Sequence, residues 1–288
     1  MNKKKSVFVL LIGETNAGKS TLVNSIVKSK VSIVSHKVQT TRFKVLGIHT
    51  ERDSQIIFID TPGIFSPQRD FDKEMVNISY SQIEEADIIA VIVDSNKGIT
   101  EHTKSIIQKI PENKKAIFIF NKVDLIKKEK LLELITMVED SNKFDRFFMI
   151  SALKNKGIKD ILLYLENNTI HDHWFFDEDQ TSDLQLNQLA AEITREKIYK
   201  HLHQELPYQI AVVHDKWEET EDSISIHQTI FIVKSNYKGM ILGKGGEKIK
   251  QIKIDSANDL SKEFGKKVKL YLYVKVDEKI FQKIILNQ

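Results

Sequence analysis

Eight residues near the amino terminus, Gly13-Glu14-Thr15-Asn16-Ala17-Gly18-Lys19-Ser20, match the spacing G-x-x-x-x-G-K-[ST]. Glycines at those positions let successive backbone N–H groups turn toward phosphate oxygens, and Lys19 neutralises the outer phosphates. Asn16, Ala17 and Thr21 complete the cradle, and the dipole of a helix opening at Lys19 adds to the attraction. Ser20 is placed to give its hydroxyl to magnesium. The chemistry expected here is binding of a nucleoside triphosphate with Mg2+.

Three further stretches supply what such a cradle lacks. Asp60-Thr61-Pro62-Gly63 follows the apolar run IIFID, so Asp60 emerges at the carboxyl end of a strand, where it can hold magnesium through water. The Gly63 amide can sense a terminal phosphate. Asn121-Lys122-Val123-Asp124 follows another apolar run. Asp124 can accept from the ring N–H and the exocyclic amine of guanine, whereas adenine presents an acceptor where a carboxylate needs a donor. Asn121 can tie its loop to the purine, and the Lys122 stem can pack on the ring face. Ser151-Ala152-Leu153 comes next, with the Ala152 amide in reach of the guanine carbonyl.

A second glycine-rich stretch, GMILGKGGEKIK at 239 to 250, lacks the G-K-[ST] ending and any later acidic or base-reading motif, which argues against a second nucleotide site. Gly243-Lys244-Gly245-Gly246 between two helical patterns next to a β-sheet instead resembles the G-x-x-G turn of a KH domain, where nucleic-acid backbone approaches the turn and bases lie in an apolar groove. Lys244, Lys248 and Lys250 would stand near the phosphates and Ile241 at the groove. Between Lys234 and Lys283 there are 13 lysines against 6 acidic residues, against a whole-chain charge of +3. The basic excess marks this quarter of the chain as the place for a polyanion.

The elements that must position these residues read as follows. SVFVLLIG (6 to 13), QIIFID (55 to 60), ADIIAVIVD (86 to 94), KAIFIFN (115 to 121) and RFFMISA (146 to 152) are strand-like, and several are near-continuously apolar, as in a parallel sheet covered on both faces. Helical patterns at 19 to 28, 72 to 84, 101 to 109, 127 to 140 and 157 to 167 alternate with them. The fold class is therefore α/β, a doubly wound and mostly parallel sheet. HDHWFFDEDQTSD, 171 to 183, has no periodicity and reads as a linker, its two histidines solvated rather than metal-binding. Beyond it Ser182 is expected to cap a helix with Leu186, Leu189, Ala190, Ile193 and Ile198 on one face. Two strands, a short helix, the glycine turn, a long helix to about Phe264 and a last strand, KVKLYLYVKV, follow. The order is that of an α+β type II KH domain. The domains are expected at 1–170 and 184–288, joined by 171–183.

At 288 residues, with 41% hydrophobic and 29% charged side chains, the chain has the composition of a soluble two-domain protein. The absence of cysteine excludes disulfides, thiolate metal sites and cysteine nucleophiles and suits a reducing cytoplasm. MNKKKSVFVLLIG imitates a signal peptide, but its apolar run is short and leads directly into the phosphate loop. No stretch approaches the roughly 20 apolar residues that span a bilayer.

Four motifs in this order, each at a strand end, resemble the translation-factor-like class of P-loop GTPases. QTTR at 39 to 42, DTPGI at 60 to 64, AAEITREKIYKHLHQELPY at 190 to 208 and KGMILGKGGEKIK at 238 to 250 extend the resemblance to the Era family, bacterial GTPases with a carboxyl-terminal KH domain, over residues 5 to 276. The resemblance implies GTP hydrolysed to GDP with Mg2+, and a switch threonine, Thr40 or Thr41, closing on the metal and the terminal phosphate. Lys19, Thr40, Thr41 and Gly63 are then the catalytic candidates. It also implies binding of the 3′ end of small-subunit ribosomal RNA, a role in assembly of the small ribosomal subunit, a monomer, and a cytoplasmic location with a fraction at the inner face of the membrane. In Ras-like enzymes a glutamine follows the DxxG glycine and orients the attacking water. Ile64 stands there, so intrinsic hydrolysis is expected to be slow. Thr15, Ala17 and Gly245 depart from the usual family residues; the first two leave the backbone cradle intact, whereas Gly245 could loosen the RNA turn. Two other functions are compatible with the resemblance: a GTPase of RNA modification, for which no additional module fits, and a protein whose second domain contacts protein or anionic membrane.

Overall fold

The structure is a computed structural model that describes residues 4–33, 44–64, 70–202 and 209–281. The chain divides into two compact units, with the junction after Asp183.

The first unit is built on a six-stranded sheet. In chain order its elements are β1 (Lys5–Ile12), α1 (Lys19–Val27), β2 (Val45–Glu51), β3 (Ser54–Asp60), α2 (Asp70–Glu85), β4 (Ile88–Asp94), α3 (Glu101–Gln108), β5 (Lys115–Asn121), α4 (Lys128–Glu139), β6 (Arg146–Met149) and α5 (Ile158–Glu166). The strand order is β2-β3-β1-β4-β5-β6, parallel except for the β2–β3 pair. β1 lies between β3 and β4, so the chain leaves it for opposite sides of the sheet, and its carboxyl end is the switch point where such folds bind ligands. The strands are apolar on both faces because both are covered. Val7, Val9, Leu11, Ile56, Phe58 and Ile117 pack toward α1 and α5, while Leu10, Ile59, Ile89, Val91, Phe118 and Phe120 pack with residues of α2, α3 and α4.

β2 is a strand that the sequence reading did not anticipate. It forms a hairpin with β3, in register from Val45↔Asp60 to Glu51↔Ser54. β6 ends at Met149, three residues before its expected limit, and the chain then turns at 151 to 156, held by Ser151 N–H to Lys156 O at 3.1 Å and by the reverse bond at 3.0 Å.

Residues 171–183 correct the expectation of a linker, because they are bonded into the first unit. Buried Gln55 donates to Phe176 O at 3.0 Å and accepts from the N–H groups of Phe175 and Phe176 at 3.0 and 3.1 Å. Ser6 Oγ donates to His173 O, Trp174 Nε1 donates to Asp53 O, and His171 Nε2 pairs with Asp87 at 2.9 Å. Phe175 sets its ring edge-on to Phe8, with centroids 4.9 Å apart.

The second unit runs α6 (Leu186–His201), β7 (Ile210–Glu219), β8 (Ser223–Ile232), α7 (Ser235–Leu242), α8 (Glu247–Phe264) and β9 (Lys267–Val276). β7 is antiparallel to β8 and β9 parallel to it, the order being β7-β8-β9. The expected element order of a type II KH domain is thus observed. The cap of α6 differs from expectation: Gln185, not Ser182, stands at the N-cap and forms a capping box with Gln188. Leu189, Ala190, Ile193 and Ile198 are buried, but Leu186 is 56% exposed because it lies in the first turn, before the helix meets the sheet. Between two apolar clusters of this unit lie the fully buried Thr194, Gln228 and Ser256, one each from α6, β8 and α8.

Gln55 ties the 171–183 segment down through three hydrogen bonds of its side chain. Gln55→Leu is expected to lower the unfolding free energy by about 1–3 kcal/mol, since it leaves the Phe175 and Phe176 amides without their partner. It should also raise amide hydrogen exchange in that segment. Unchanged exchange there would show that the segment is held by its other bonds.

Candidate functional site

The phosphate loop connects β1 to α1 across the switch point. Gly18, the N-cap of α1, has φ 103°, and a Cβ there would lie 2.2 Å from Asn121 Nδ2. Only glycine meets both demands. No side chain caps α1, and its first turn carries no acidic residue, so the amide groups that begin the helix face the loop's concavity. Lys19 is buried and reaches back to Gly13 O and Glu14 O, both at 3.1 Å. Burial lowers its pKa to about 8, against the pull of Asp60 and Glu14. A phosphate at this point would restore full charge.

Asp60 ends β3 and is fully buried. Its Oδ2 accepts from Ser20 Oγ at 2.6 Å, while Oδ1 is buried with no hydrogen-bond partner among the described residues. Burial raises its pKa, opposed by Lys19 and by the Ser20 hydroxyl. A buried carboxylate oxygen without a donor, next to a serine hydroxyl, is a hard oxygen pair that fits Mg2+ directly or through its waters. Thr61 Oγ1 donates to Leu11 O at 3.0 Å and Ser79 Oγ donates to Pro62 O at 2.8 Å, which hold the loop that carries the Gly63 amide. Thr40 and Thr41, the switch threonines of the sequence reading, lie outside the described residues.

Ile64 does not face this site. Its N–H donates to Gly13 O at 2.9 Å, and its side chain is buried with Leu10, Ile12, Ile59 and Ile83. The apolar residue at this position is thus a core residue, which explains why the glutamine of Ras-like enzymes has no counterpart here.

The base-reading loops converge through Asn121. Its Nδ2 donates to Ala17 O at 2.8 Å, and its Oδ1 accepts from Lys122 N at 2.8 Å and Ala152 N at 3.0 Å. Three of the four motifs are therefore joined by one buried amide. The Ala152 N–H, expected at the guanine carbonyl, is here bonded to Asn121. Lys122 Nζ donates to Asn16 O at 2.8 Å and to Asp94 at 2.7 Å, fixing its stem beside the loop. Asp124 pairs with Lys154 at 2.9 Å, and bonds from Ser151 and Lys154 hold its pKa below the ordinary carboxylate value, so it is an acceptor at neutral pH. Ser151 is buried and Leu153 is 85% exposed, so Leu153 adds no buried contact to the loop.

Two supporting groups were not foreseen. Asp94, the last residue of β4, was within a recognised strand, but nothing marked it as the partner of Lys122. Glu14, an unspecified position of the loop motif, bonds the hydroxyls of Thr100 and Thr103, the former the N-cap of α3, and so ties the loop to a neighbouring helix. The Thr100-Glu101 start of α3 is legible as a cap, but its partner is not.

In the second unit Gly243 ends α7 with φ 73°, and a Cβ there would lie 2.6 Å from Lys248 Cβ. Gly245 has φ 60°, in the left-handed region, and no atom stands within 4 Å of where its Cβ or that of Gly246 would be. The turn is thus open toward solvent, and the glycine at 245 suits its backbone. Lys244 and Lys250 are exposed and Lys248 is half-buried. Beside the turn lies a groove of about 330 Å³ lined by Ile249, Lys250 and Lys253 of α8 and by Tyr271, Leu272 and Tyr273 of β9. Ile241, expected to touch RNA, is instead fully buried in the core with Ile198, Ile230 and Ile252, where it anchors α7.

Comparison with known proteins agrees with these features. A family described as 50S ribosome-binding GTPase matches residues 8–122, and a KH domain family matches residues 205–279. The chain is 46% identical over 276 residues to GTPase Era of Rhizobium meliloti (strain 1021), covering 95% of this chain and 88% of that one. It is 48% identical over 273 residues to GTPase Era of Bradyrhizobium sp. (strain ORS 278), covering 94% and 89%. Among solved structures, Era in complex with MgGDPNP and nucleotides 1506–1542 of 16S ribosomal RNA superposes with a TM-score of 0.92 at 33% identity, covering 98% of this chain and 97% of that one. A variant of Aquifex aeolicus Era bound to GDP and AlF4− gives the same TM-score and identity, covering 98% of each chain.

A phosphate cradle at the switch point of a doubly wound sheet, an ionised carboxylate at the end of a neighbouring strand and a KH unit in the same chain define a P-loop GTPase of the nucleic-acid-binding kind. The chain belongs to the Era family of GTPases.

Ile64→Gln supplies the side chain that Ras-like enzymes use. Because position 64 points into the core, the variant is expected to lose about 1–3 kcal/mol of stability through a buried amide and to gain no hydrolysis rate. An accelerated turnover measured by phosphate release would show instead that the residue can reach the nucleotide.

Proposed function

We propose that this chain is a GTP-hydrolysing switch whose KH unit binds the 3′ end of small-subunit ribosomal RNA and assists assembly of the small ribosomal subunit. The observation that carries the reading is the likeness, over both units, to Era in complex with MgGDPNP and a 16S ribosomal RNA fragment. In this chain the α1 amides, Lys19 and the 13–20 loop receive the phosphates. Ser20 and Asp60 would hold Mg2+, with Thr40 or Thr41 as a further ligand. Bound magnesium would supply charge neutralisation for the phosphates. Gly63 N–H senses the terminal phosphate, and its loss on hydrolysis releases the switch.

Asp124 takes the guanine edge, Asn121 keeps the purine loops and the phosphate loop in one arrangement, and the 243–246 turn with Lys244, Lys248 and Lys250 receives the RNA backbone. The absence of a water-orienting side chain at Ile64 supports slow intrinsic turnover. The chain acts as a monomer in the cytoplasm, with a fraction at the inner face of the cell membrane; among the described residues no helix is long and apolar enough to cross a membrane.

The test is the affinity for a fragment of the small-subunit RNA 3′ end and for a scrambled strand of equal length, each with GTP analogue and with GDP at fixed salt. Tighter, sequence-selective binding with the GTP analogue is expected. Equal affinity in both nucleotide states would sink the switch, because a nucleotide shifts only an equilibrium whose states it binds differently.

For the guanine assignment, Asp124→Asn should weaken GTP by roughly 100-fold and admit xanthosine triphosphate, since the amide donates where the carboxylate accepted. Unchanged guanine preference in competition binding would remove Asp124 from that role.

A further inference from the structure

The phosphate loop carries one acidic residue, Glu14, in a stretch whose task is to hold anionic phosphates. A carboxylate there opposes binding wherever its charge faces the ligand, and the repulsion grows as water is excluded. The fold turns that charge elsewhere. Glu14 Oε1 accepts from the hydroxyl of Thr100 and from Thr103 Oγ1, the latter at 2.9 Å. Thr100 is the N-cap of α3 and itself accepts from Thr103 N–H at 3.1 Å. The carboxylate therefore sits at the amino end of α3, where the helix dipole favours negative charge.

Little else around Glu14 could hold it. The cavity it shares with Asp94, Lys97 and Thr103 is about 10 Å³, room for one water at most. Thr103 is buried, and no basic side chain forms an ion pair with Glu14 among the described residues. The Glu14 charge still reaches the phosphate position. Burial lowers the pKa of Lys19, and the charges of Asp60 and then Glu14 pull it back up. The backbone would also carry any movement of Glu14 into the site. Its carbonyl accepts from Lys19 Nζ at 3.1 Å and from Ala17 N–H at 3.3 Å. Thr15, the next residue, packs so tightly on the terminal-phosphate loop that a Cβ on Gly63 would lie 2.6 Å from Thr15 Cα.

We propose that Thr100 and Thr103 form a latch for the Glu14 carboxylate, which turns the loop's own negative charge away from the phosphates and into the start of α3. These three are positioning residues. The latch bears most on the terminal phosphate, because that group adds charge to the ligand. The proposal rests on the reading of residues 13–20 as the phosphate site and adds to it a control on affinity seated in α3.

The test titrates the full chain and its variants with fluorescent GDP and with a fluorescent GTP analogue, both with Mg2+. The latch variant is Thr100→Gly with Thr103→Val, which removes both hydroxyls and leaves a residue that helix N-caps accept. Its affinity for the GTP analogue should fall about tenfold or more, and for GDP by a smaller factor. High salt should shrink both losses. Glu14→Gln alone should lose less than the latch variant, having no charge to release. Glu14→Gln added to the latch variant should recover the affinity of Glu14→Gln alone, a relief that a merely structural tie would not show.

A latch variant that binds both nucleotides as the wild type does, or whose loss Glu14→Gln does not relieve, overturns the proposal. If the latch variant fails to fold in thermal unfolding, Thr103→Val alone carries the same comparison with the α3 cap intact, at a loss of about threefold. Lys19→Ala separates the latch from the site it serves. Its loss of binding, with no relief in the combined variant, upholds the phosphate site and rejects the latch. Wild-type affinity in Lys19→Ala would reject the site and the latch together.

Discussion

The nucleotide site depends on one side chain, the buried amide of Asn121. It is the only group among the described residues that touches the phosphate loop, its own base-reading loop and the loop after β6 together, through Ala17 O, Lys122 N and Ala152 N. Those three loops belong to three different strand ends, and no covalent route between them is short. Gly18 must be glycine partly because Asn121 occupies the space where a Cβ would be. The sheet sets the strand ends side by side, and the amide converts that proximity into fixed hydrogen-bond angles. Lys122 with Asp94 and Glu14 with Thr100 and Thr103 brace the same loop from two other directions.

What could be read from the sequence follows from where the information lies. The phosphate loop, Asp60, Asn121 and Asp124 were legible because each role needs a particular residue type at a strand end, and the strand ends are marked by apolar runs. The doubly wound sheet was legible for the same reason. β2 was not: VLGIHTE is half polar and contains Gly47, and its pairing is specified by β3 rather than by its own pattern. The 171–183 segment had no periodicity to find, because it is held by backbone bonds to Gln55 and Ser6 and by the edge of one ring, none of which repeats along a chain.

The KH unit shows the limits of periodicity in another way. α6 and α8 were recognised by their apolar positions, yet Leu186 shares the pattern of its helix and is exposed, since a helix can begin before it reaches the surface it packs on. Ile241 was taken for a groove residue because it precedes the glycine turn; burial in the core was invisible from its neighbours. The stacking of Tyr271 on His227, with ring centroids 4.5 Å apart, was hidden by the same alternation that identified β9, because alternation says which residues share a face but not what the partner strand brings to it. His227 comes from β8, about forty residues earlier, and only the register places it under Tyr271.

The bare start of α1 has a consequence for the lifetime of the molecule. A helix whose first amides have no capping side chain is incomplete as secondary structure, and the phosphates of a bound nucleotide would complete it. Ligand that binds the folded chain alone raises its stability in proportion to the logarithm of its concentration over its dissociation constant. The guanine nucleotide pool of a cell would therefore act on this protein as a folding cofactor as well as a substrate. Starvation that drains the pool would leave the chain open more often and shorten its survival against proteases.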